Sequence, residues 1–287
     1  MSRANTGSSR IELIASKVSD LPAMPQVAAK AMELIGSPRA TAKDLEQIIS
    51  KDQATTVKVL RIANSAFYGV RGEISTLSRA IVVLGFNTLR SVVMTGVSEA
   101  IHSGKRSCFK DRILWEHSIA AAIAARTIAV ECGYPAPEEA YVGGLLHDIG
   151  KVVMDANLAG EYEKAVEAVY NEGVSFVDAE NDIFGFDHTD VGALVAERWH
   201  LAPRLREAVQ FHHQPMGSEI DPTLCAIVSL ANSLCLRLGI GLQREPELSL
   251  VDEESALMLT LAPERLDRIC SAVQERLAEE KNHLSLA

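Results

Sequence analysis

The sequence has little of what marks a nucleic-acid-binding, disulfide-stabilised or membrane-spanning protein. Its formal net charge of -10 at pH 7 argues against a basic surface spread over the fold, so no DNA binding is expected. Its five cysteines form no Cys-x-x-Cys pair, which predicts free thiols in a reducing cytoplasm. No apolar run reaches the roughly 20 residues of a membrane span, and Met1–Arg10 is too polar for a signal peptide.

Aromatic residues make up only 5% of the chain, and runs of β-branched residues are short. Alanine and leucine, which favour helices, are abundant. No stretch makes a convincing sheet, and no internal repeat is present. We therefore predict an all-α fold, and the 287 residues suffice for one large or two modest domains.

The helical pattern changes near residue 104, where we place a domain boundary. Residues 1–10 are polar and are predicted to be mobile, and residues 11–104 have the pattern of five or six short helices. This first part contains one histidine, His102, and no catalytic constellation, which favours a packing or interaction role. Residues 105–287 contain longer helices and the remaining histidines. The pattern predicts an N-terminal helical bundle followed by a second helical subdomain with C-terminal helices.

One apolar run, Val142–Lys151, places a histidine beside an aspartate in the order Gly-Gly-Leu-Leu-His147-Asp148-Ile-Gly-Lys. A buried carboxylate is normally paired or bound to a metal. The two glycines one turn earlier would let another helix or a ligand approach this backbone. We expect the whole run to lie on one helix that begins at Pro137. A neutral His147 bonded to Asp148 at a helix crossing is an equal alternative on this evidence.

Four other histidines lie on the apolar faces of predicted helices, and the helical period aims them toward the core. They are His117, His188, His212 and His213, the last two ending a predicted helix Pro203–His213. A lone histidine on such a face is more often a satisfied core residue than a ligand. Several such faces together with His147 and Asp148 instead indicate a metal site, because imidazole and carboxylate suit Fe, Mn, Zn or Ni.

Six motifs resemble the HDOD family, bacterial signalling-output domains related to the HD-GYP phosphodiesterases of the HD phosphohydrolase superfamily. The motifs are Leu21-Pro-Ala-Met-Pro25, Arg61-Ile-Ala-Asn-Ser-Ala-Phe-Tyr-Gly69, Ser78-Arg-Ala-Ile-Val-Val-Leu-Gly85, Gly143-Gly-Leu-Leu-His-Asp-Ile-Gly-Lys151, Phe186-Asp-His-Thr-Asp-Val-Gly192 and His212-His-Gln-Pro215. The resemblance covers about residues 11–238. The resemblance implies an N-terminal bundle packed on an HD-like subdomain that holds any metal pocket.

The resemblance also implies two metal sites that share Asp148. The first matches His117, His147 and Asp148, and the second matches His188, His212 and His213. Lys151 matches a lysine that faces the pocket in HD-GYP enzymes, so Asp148 and Lys151 are the catalytic candidates. A plain helix C-terminal cation is the alternative for Lys151. The implied cofactor is one or two divalent transition-metal ions, Fe or Mn before Zn or Ni.

The sequence departs from the superfamily pattern at two places. Asn232 stands where the last ligand is an aspartate, and no Gly-Tyr-Pro signature follows His213. Asp148 alone then offsets the charge of two divalent ions, so the site would recruit hydroxide or a phosphate-like anion. We expect the histidine-rich second site to survive better than the first. Asp187 and Asp190 flank His188 and are expected to act as its hydrogen-bond partners.

Two classes of function follow from the resemblance. The first is a cytoplasmic regulatory or protein-interaction module, whose partner is a signalling protein or a nucleotide-like ligand. The alternative is a metal-dependent phosphohydrolase acting on a nucleotide or cyclic dinucleotide, in which the ions and Lys151 stabilise negative charge. The residues leave open which of the two applies. No membrane partner is expected, and the helix from Ala262 leaves a homodimer open.

Overall fold

The computed structural model describes residues 13–14, 16–18, 20–64, 74–102 and 109–283. Every regular element in these ranges is a helix, which confirms the all-α prediction. The helices α1 to α13 are Gln26–Ile35, Ala42–Ile49, Gln53–Ala63, Leu77–His102, Phe109–Cys132, Pro137–Leu146, Ile149–Glu172, Phe176–Phe184, His188–Arg198, Pro203–Gln210, Pro222–Arg237, Glu254–Met258 and Pro263–His283. A short 3-10 helix lies at Pro215–Gly217. The predicted mobile residues 1–10 and the predicted boundary near residue 104 lie outside the described ranges.

The first helices form a small bundle in which α1, α2 and α3 pack on α4. A capping box begins α2, since the Thr41 hydroxyl accepts a hydrogen bond from the Asp44 amide at 3.3 Å. Asp44 Oδ2 accepts one from the Thr41 amide at 2.9 Å in return. The helix α4 is kinked at Gly85, whose positive φ of 71° interrupts the helical backbone.

The second part of the chain is built around the long helix α5. It packs along α6, and α11 and α13 also lie against it. The helix α9, which begins at His188, packs on α7 and α10. Apolar side chains from both parts of the chain form one continuous core cluster, and α4 lies against α6. The bundle therefore packs directly on α6, which ends immediately before His147.

Among the residues that the structure describes, two helices are long and apolar enough to cross a membrane by length and composition alone. They are Leu77–His102 and Arg112–Cys132, whose most apolar windows are 56% and 72% buried inside the fold. Such burial is typical of the core helices of a folded domain. Among the described cysteines, four are free thiols, and Cys225 and Cys235 are buried, as expected for free cysteines in a helical core.

Two predicted helices end earlier than the sequence indicated. The helix predicted from Pro137 stops at Leu146, and the next begins at Ile149, so His147 and Asp148 form the joint between them. Neighbouring residues within one helix point about 100° apart, whereas this joint lets both side chains face the same site. The predicted helix Pro203–His213 likewise ends at Gln210, which leaves His212 and His213 in the turn that follows.

Candidate metal centre

The carboxylate of Asp148 lies at the centre of the histidine cluster. Its Oδ2 atom lies 3.5 Å from His117 Nε2 and 3.4 Å from His147 Nε2. Its Oδ1 atom lies 3.3 Å from His188 Nε2 and 3.8 Å from His212 Nε2. Each carboxylate oxygen thus faces a different pair of histidines, so Asp148 has the geometry of a bridge between two groups of ligands.

Candidate ligand atoms within 4.8 Å of one another fall into two groups. One consists of His117, His147 and Asp148, and the other of His188, His212 and His213. These are the two groups that the family resemblance implied. In the second group His188 begins α9, whereas His212 and His213 both lie in the turn after α10. His188 Nε2 lies 3.4 Å from His212 Nε2 and 3.2 Å from His213 Nε2.

Each buried ring is held in the orientation that directs Nε2 inward. Nδ1 of three rings faces a backbone carbonyl: His117 that of Ile240 at 2.9 Å, His147 that of Gly144 at 2.7 Å, and His212 that of Val209 at 2.8 Å. A carbonyl oxygen only accepts, so Nδ1 carries the hydrogen and donates it. In the neutral ring Nε2 is then an unprotonated lone pair, which is the form that binds a metal.

These lone pairs face one another at short distance. His117 Nε2 and His147 Nε2 are 3.2 Å apart, and a pair of unprotonated nitrogens at that distance needs a cation between or beside them. Burial lowers the pKa of His117 to about 4, and burial also lowers that of His212 well below its ordinary value. The His117 ring is therefore neutral at pH 7 and does not supply that charge itself.

Asp148 has an unsatisfied oxygen at the same place. Burial opposes ionisation, but the Lys151 ammonium, 2.8 Å from Oδ2, favours the charged form, and the pKa of this carboxyl lies well below its usual range. Although Asp148 is almost completely buried, Oδ1 accepts no hydrogen bond. A buried, ionised and unpaired oxygen is costly unless a metal or another cation binds it. The donor set therefore fits a divalent ion.

Glycine at two helix crossings brings the ligands together. A Cβ atom on Gly150 would lie 1.9 Å from the carbonyl oxygen of His188, so α7 and α9 touch through their backbones there. A Cβ atom on Gly144 would lie 2.6 Å from the carbonyl oxygen of Ala121 in α5. The close approach predicted at Gly143 and Gly144 is confirmed at Gly144. The crossing at Gly150, which the sequence analysis did not predict, sets Asp148 beside His188.

Lys151 lies in the first turn of α7, and its ammonium points back into the site. Nζ donates to Asp148 Oδ2 at 2.8 Å and lies 4.6 Å from the ring centroid of Phe176. The alternative of a helix C-terminal cation is therefore wrong. A helix N-terminus disfavours a positive charge, so the contact with Asp148 is what stabilises this position.

A pocket of about 220 Å³ leads from the cluster to the surface. The candidate residues on its walls are His117, Asp148, Lys151, His212, His213 and Asn232. His213 is exposed there, whereas the other four histidines of the cluster are buried. Asn232 on α11 is also buried, and its side chain lies on the pocket wall where the family pattern has an acidic ligand.

One carboxylate of the site was missed by the sequence analysis. Glu180 on α8 accepts a hydrogen bond from His188 Nδ1 at 2.6 Å. Asp187 and Asp190, which the sequence predicted as partners of this ring, instead form the capping box of α9. Asp187 Oδ1 accepts from the Thr189 amide at 2.9 Å, and Asp190 Oδ2 accepts from the Asp187 amide at 3.2 Å. The prediction for these two aspartates is therefore wrong.

Comparison with known proteins places these features in a family. The model of the HDOD domain matches residues 21–215. An uncharacterized protein of Treponema pallidum (strain Nichols) is 25% identical over 222 residues, which is 76% of this chain and 43% of that protein. The chain therefore spans less than half of that relative.

Solved structures share the fold over almost the whole chain. An HDOD domain protein of unknown function from Geobacter sulfurreducens superposes with a TM-score of 0.84, at 25% identity over 96% of this chain and 99% of that one. A protein of Shewanella amazonensis SB2B, named as a candidate phosphohydrolase, has a TM-score of 0.70 at 24% identity, covering 94% and 95% of the two chains. At 24% identity, the Shewanella structure supports the fold and not a function.

Proposed function

Because the chain belongs to the HDOD domain family, we propose that it is a signal-transduction protein whose output depends on a divalent transition metal held around Asp148. The supporting observation is that four histidine Nε2 atoms from separate elements converge on one buried carboxylate, whose Oδ1 accepts no hydrogen bond. Fe or Mn suits this mixed set of imidazole and carboxylate, as do Zn and Ni. One or two ions would be bound.

The ligands would divide between the two oxygens of Asp148. His117 and His147 would bind with Oδ2, and His188, His212 and His213 would bind with Oδ1. A divalent ion in this position supplies a Lewis acid for a phosphate oxygen and acidifies water. Lys151 adds a further positive charge at the pocket wall. The ligand best matched to such a site is a nucleotide-like molecule that presents a phosphate group.

The regulatory function requires that occupation of the pocket be read by another molecule. The N-terminal bundle packs directly on α6, and His147 follows the last residue of α6. A shift of His147 on ligand binding would therefore move a helix that contacts the first part of the chain. The partner would be a signalling protein in the cytoplasm or a second copy of this chain that contacts the helix from Pro263. Neither DNA nor a membrane is expected as a partner.

A metal-dependent phosphohydrolase is the second candidate, favoured by the pocket that joins the cluster to the surface. A phosphate ester in this pocket would meet Lys151, whose ammonium would stabilise the negative charge that develops on the phosphoryl group. Asp148 would hold the ligand set in place, and the histidine Nε2 lone pairs would bind the ion. Nucleotides and cyclic dinucleotides are the substrates to test.

Elemental analysis followed by a substrate screen separates the two candidates. Purified protein would be reconstituted with Fe or Mn and tested on phosphomonoesters, nucleotides and cyclic dinucleotides. Stoichiometric metal with turnover that Asp148→Ala abolishes would identify a phosphohydrolase. Stoichiometric metal and phosphate binding without turnover would identify the regulatory module. Protein that binds no metal under any of these conditions would contradict both.

A further inference from the structure

The Glu180 carboxylate lies behind His188, where it makes three hydrogen bonds. Its side chain is 0% exposed. Oε2 accepts from the backbone amide of His188 at 2.8 Å and from Nδ1 of the same ring at 2.6 Å. Oε1 accepts from the hydroxyl of Tyr162 at 3.2 Å. Every contact uses the carboxylate as an acceptor, and Glu180 is not among the residues on the pocket wall.

His188 differs from the other buried rings in the hydrogen-bond partner of its Nδ1 atom. Nδ1 of His117, His147 and His212 donates to a neutral backbone carbonyl, whereas that of His188 donates to a carboxylate. A carboxylate behind a ligating histidine fixes its tautomer and makes its outer nitrogen a stronger ligand. His188 is therefore the ring best prepared to bind a cation.

Glu180 also changes the charge of the buried centre. Asp148 and Glu180 bring two carboxylates and Lys151 brings one ammonium, so the centre has one net negative charge before any ion binds. A single divalent ion turns this into one net positive charge, whereas two ions would leave three net positive charges. The centre thus favours one ion over two. Glu180, behind His188, supplies the negative charge that is missing at Asn232.

The position of Lys151 indicates which group takes that ion. Its ammonium donates to Oδ2 of Asp148 at 2.8 Å, on the side of His117 and His147. Oδ1, on the side of His188, accepts no hydrogen bond. The Lys151 ammonium therefore already neutralises Oδ2, whereas Oδ1 has no cation beside it.

We propose that Glu180 is the positioning residue that makes the group of His188, His212, His213 and Asp148 the first to fill with metal. The proposal rests on the proposed metal-dependent function and goes beyond it by assigning the order of filling and its cause. Glu180 acts through His188 and does not itself touch the ion.

Titration of metal-stripped protein with Co²⁺, followed by visible absorption, tests this order. His188→Ala should lose the first equivalent of Co²⁺, and His117→Ala should keep it. Glu180→Gln should raise the dissociation constant of the first equivalent by about 10–100-fold. The matched control is Glu207→Gln, because Glu207 is another buried carboxylate that accepts two hydrogen bonds, from the Ser218 hydroxyl and the Ile220 amide. This control should bind Co²⁺ as the wild type does.

Nitrogen NMR of the histidine side chains adds a measurement that does not depend on metal affinity. In metal-free wild-type protein, His188 should show hydrogen on Nδ1 alone, and folded Glu180→Ala, which removes the acceptor, should show a mixture of tautomers. Equal affinity of Glu180→Gln and Glu207→Gln would overturn the role of Glu180. Loss of the first equivalent in His117→Ala but not in His188→Ala would overturn the order. Wild-type protein without any bound Co²⁺ would contradict the proposed function itself, which the other two outcomes leave standing.

Discussion

Nε2 of His188 lies 3.3 Å from Oδ1 of Asp148, although the two residues begin different helices. The short distance depends on the backbone contact between α7 and α9 at Gly150, where a side chain would meet the His188 carbonyl. A helix crossing without side-chain bulk therefore joins the two halves of the candidate metal centre. The first prediction concerns this crossing.

Gly150→Ala should separate α7 from α9 and abolish metal binding. The added Cβ would lie 1.9 Å from a backbone oxygen, which cannot move as a flexible side chain can. We expect a loss of at least about 3 kcal/mol in the free energy of unfolding. Gly160→Ala on the same helix is the control, since no atom lies within 4 Å of its added Cβ, and it should stabilise the protein by up to about 1 kcal/mol. Equal urea midpoints for the two variants would contradict the role of the crossing.

Removal of the metal should lower the melting temperature. Without an ion, the ligand set leaves an unpaired carboxylate oxygen and facing nitrogen lone pairs. An ion whose free concentration is one hundred times its dissociation constant stabilises the fold by about 3 kcal/mol. For a chain of this size that corresponds to a shift of roughly 5–10 °C. Calorimetry before and after a chelator, and again after Mn²⁺ is restored, measures it. Asp148→Ala should melt at the same temperature with and without Mn²⁺, and a persistent Mn²⁺ effect in that variant would place the ion elsewhere.

The metal-free protein should become less stable as the pH falls from 6.5 toward 4. Burial lowers the pKa of His117 from 6.5 to about 4, so the unfolded chain binds a proton over this range that the folded chain does not. Protonation therefore favours unfolding, by about 2 kcal/mol at pH 5 from this ring alone. His212 acts in the same direction. Melting temperatures in the presence of a chelator should be lower at pH 5 than at pH 7.5, and His117→Gln should show a smaller difference. A pH-independent melting temperature would exclude buried neutral rings.

Lys151→Met should weaken the binding of phosphate while metal binding is kept. The ammonium contributes positive charge at the pocket but also competes for Asp148 Oδ2, 2.8 Å away. We expect about a tenfold rise in the dissociation constant for inorganic phosphate in the Mn²⁺-loaded protein. Lys164→Met, an exposed position on the same helix, should leave phosphate affinity unchanged. Equal phosphate affinity in both variants would show that Lys151 serves only to neutralise Asp148.

The histidines could be assigned to one centre from the sequence because each sits on an apolar helix face, or follows one directly. Helical period decides which way such a ring points, so His117 and His188 were predicted to face the core, and both are buried. The bend between α6 and α7 was not predicted, because neither residue between Leu146 and Ile149 is a glycine or a proline. Only Asp148 leaves the helical range at this joint, with φ -100° and ψ 11°.

The role of Glu180 was missed for a similar reason, since its partner His188 belongs to another helix and no period relates the two. A signal was nevertheless present. Glu180 lies four residues from both Phe176 and Phe184 on one buried face of α8, so it is a carboxylate on an apolar face. The error at Asp187 and Asp190 has a plain origin, because an acidic residue three positions after an Asp is the pattern of a capping box.

Anomalous X-ray scattering from crystals grown with Mn²⁺ would test most directly whether Asp148 and its histidines form a metal centre. We expect a peak at the Mn absorption edge about 2.1–2.3 Å from Oδ1 of Asp148 and from Nε2 of His188 and His212. A map with no peak between these three side chains, at full Mn²⁺ saturation of the crystal, would contradict it.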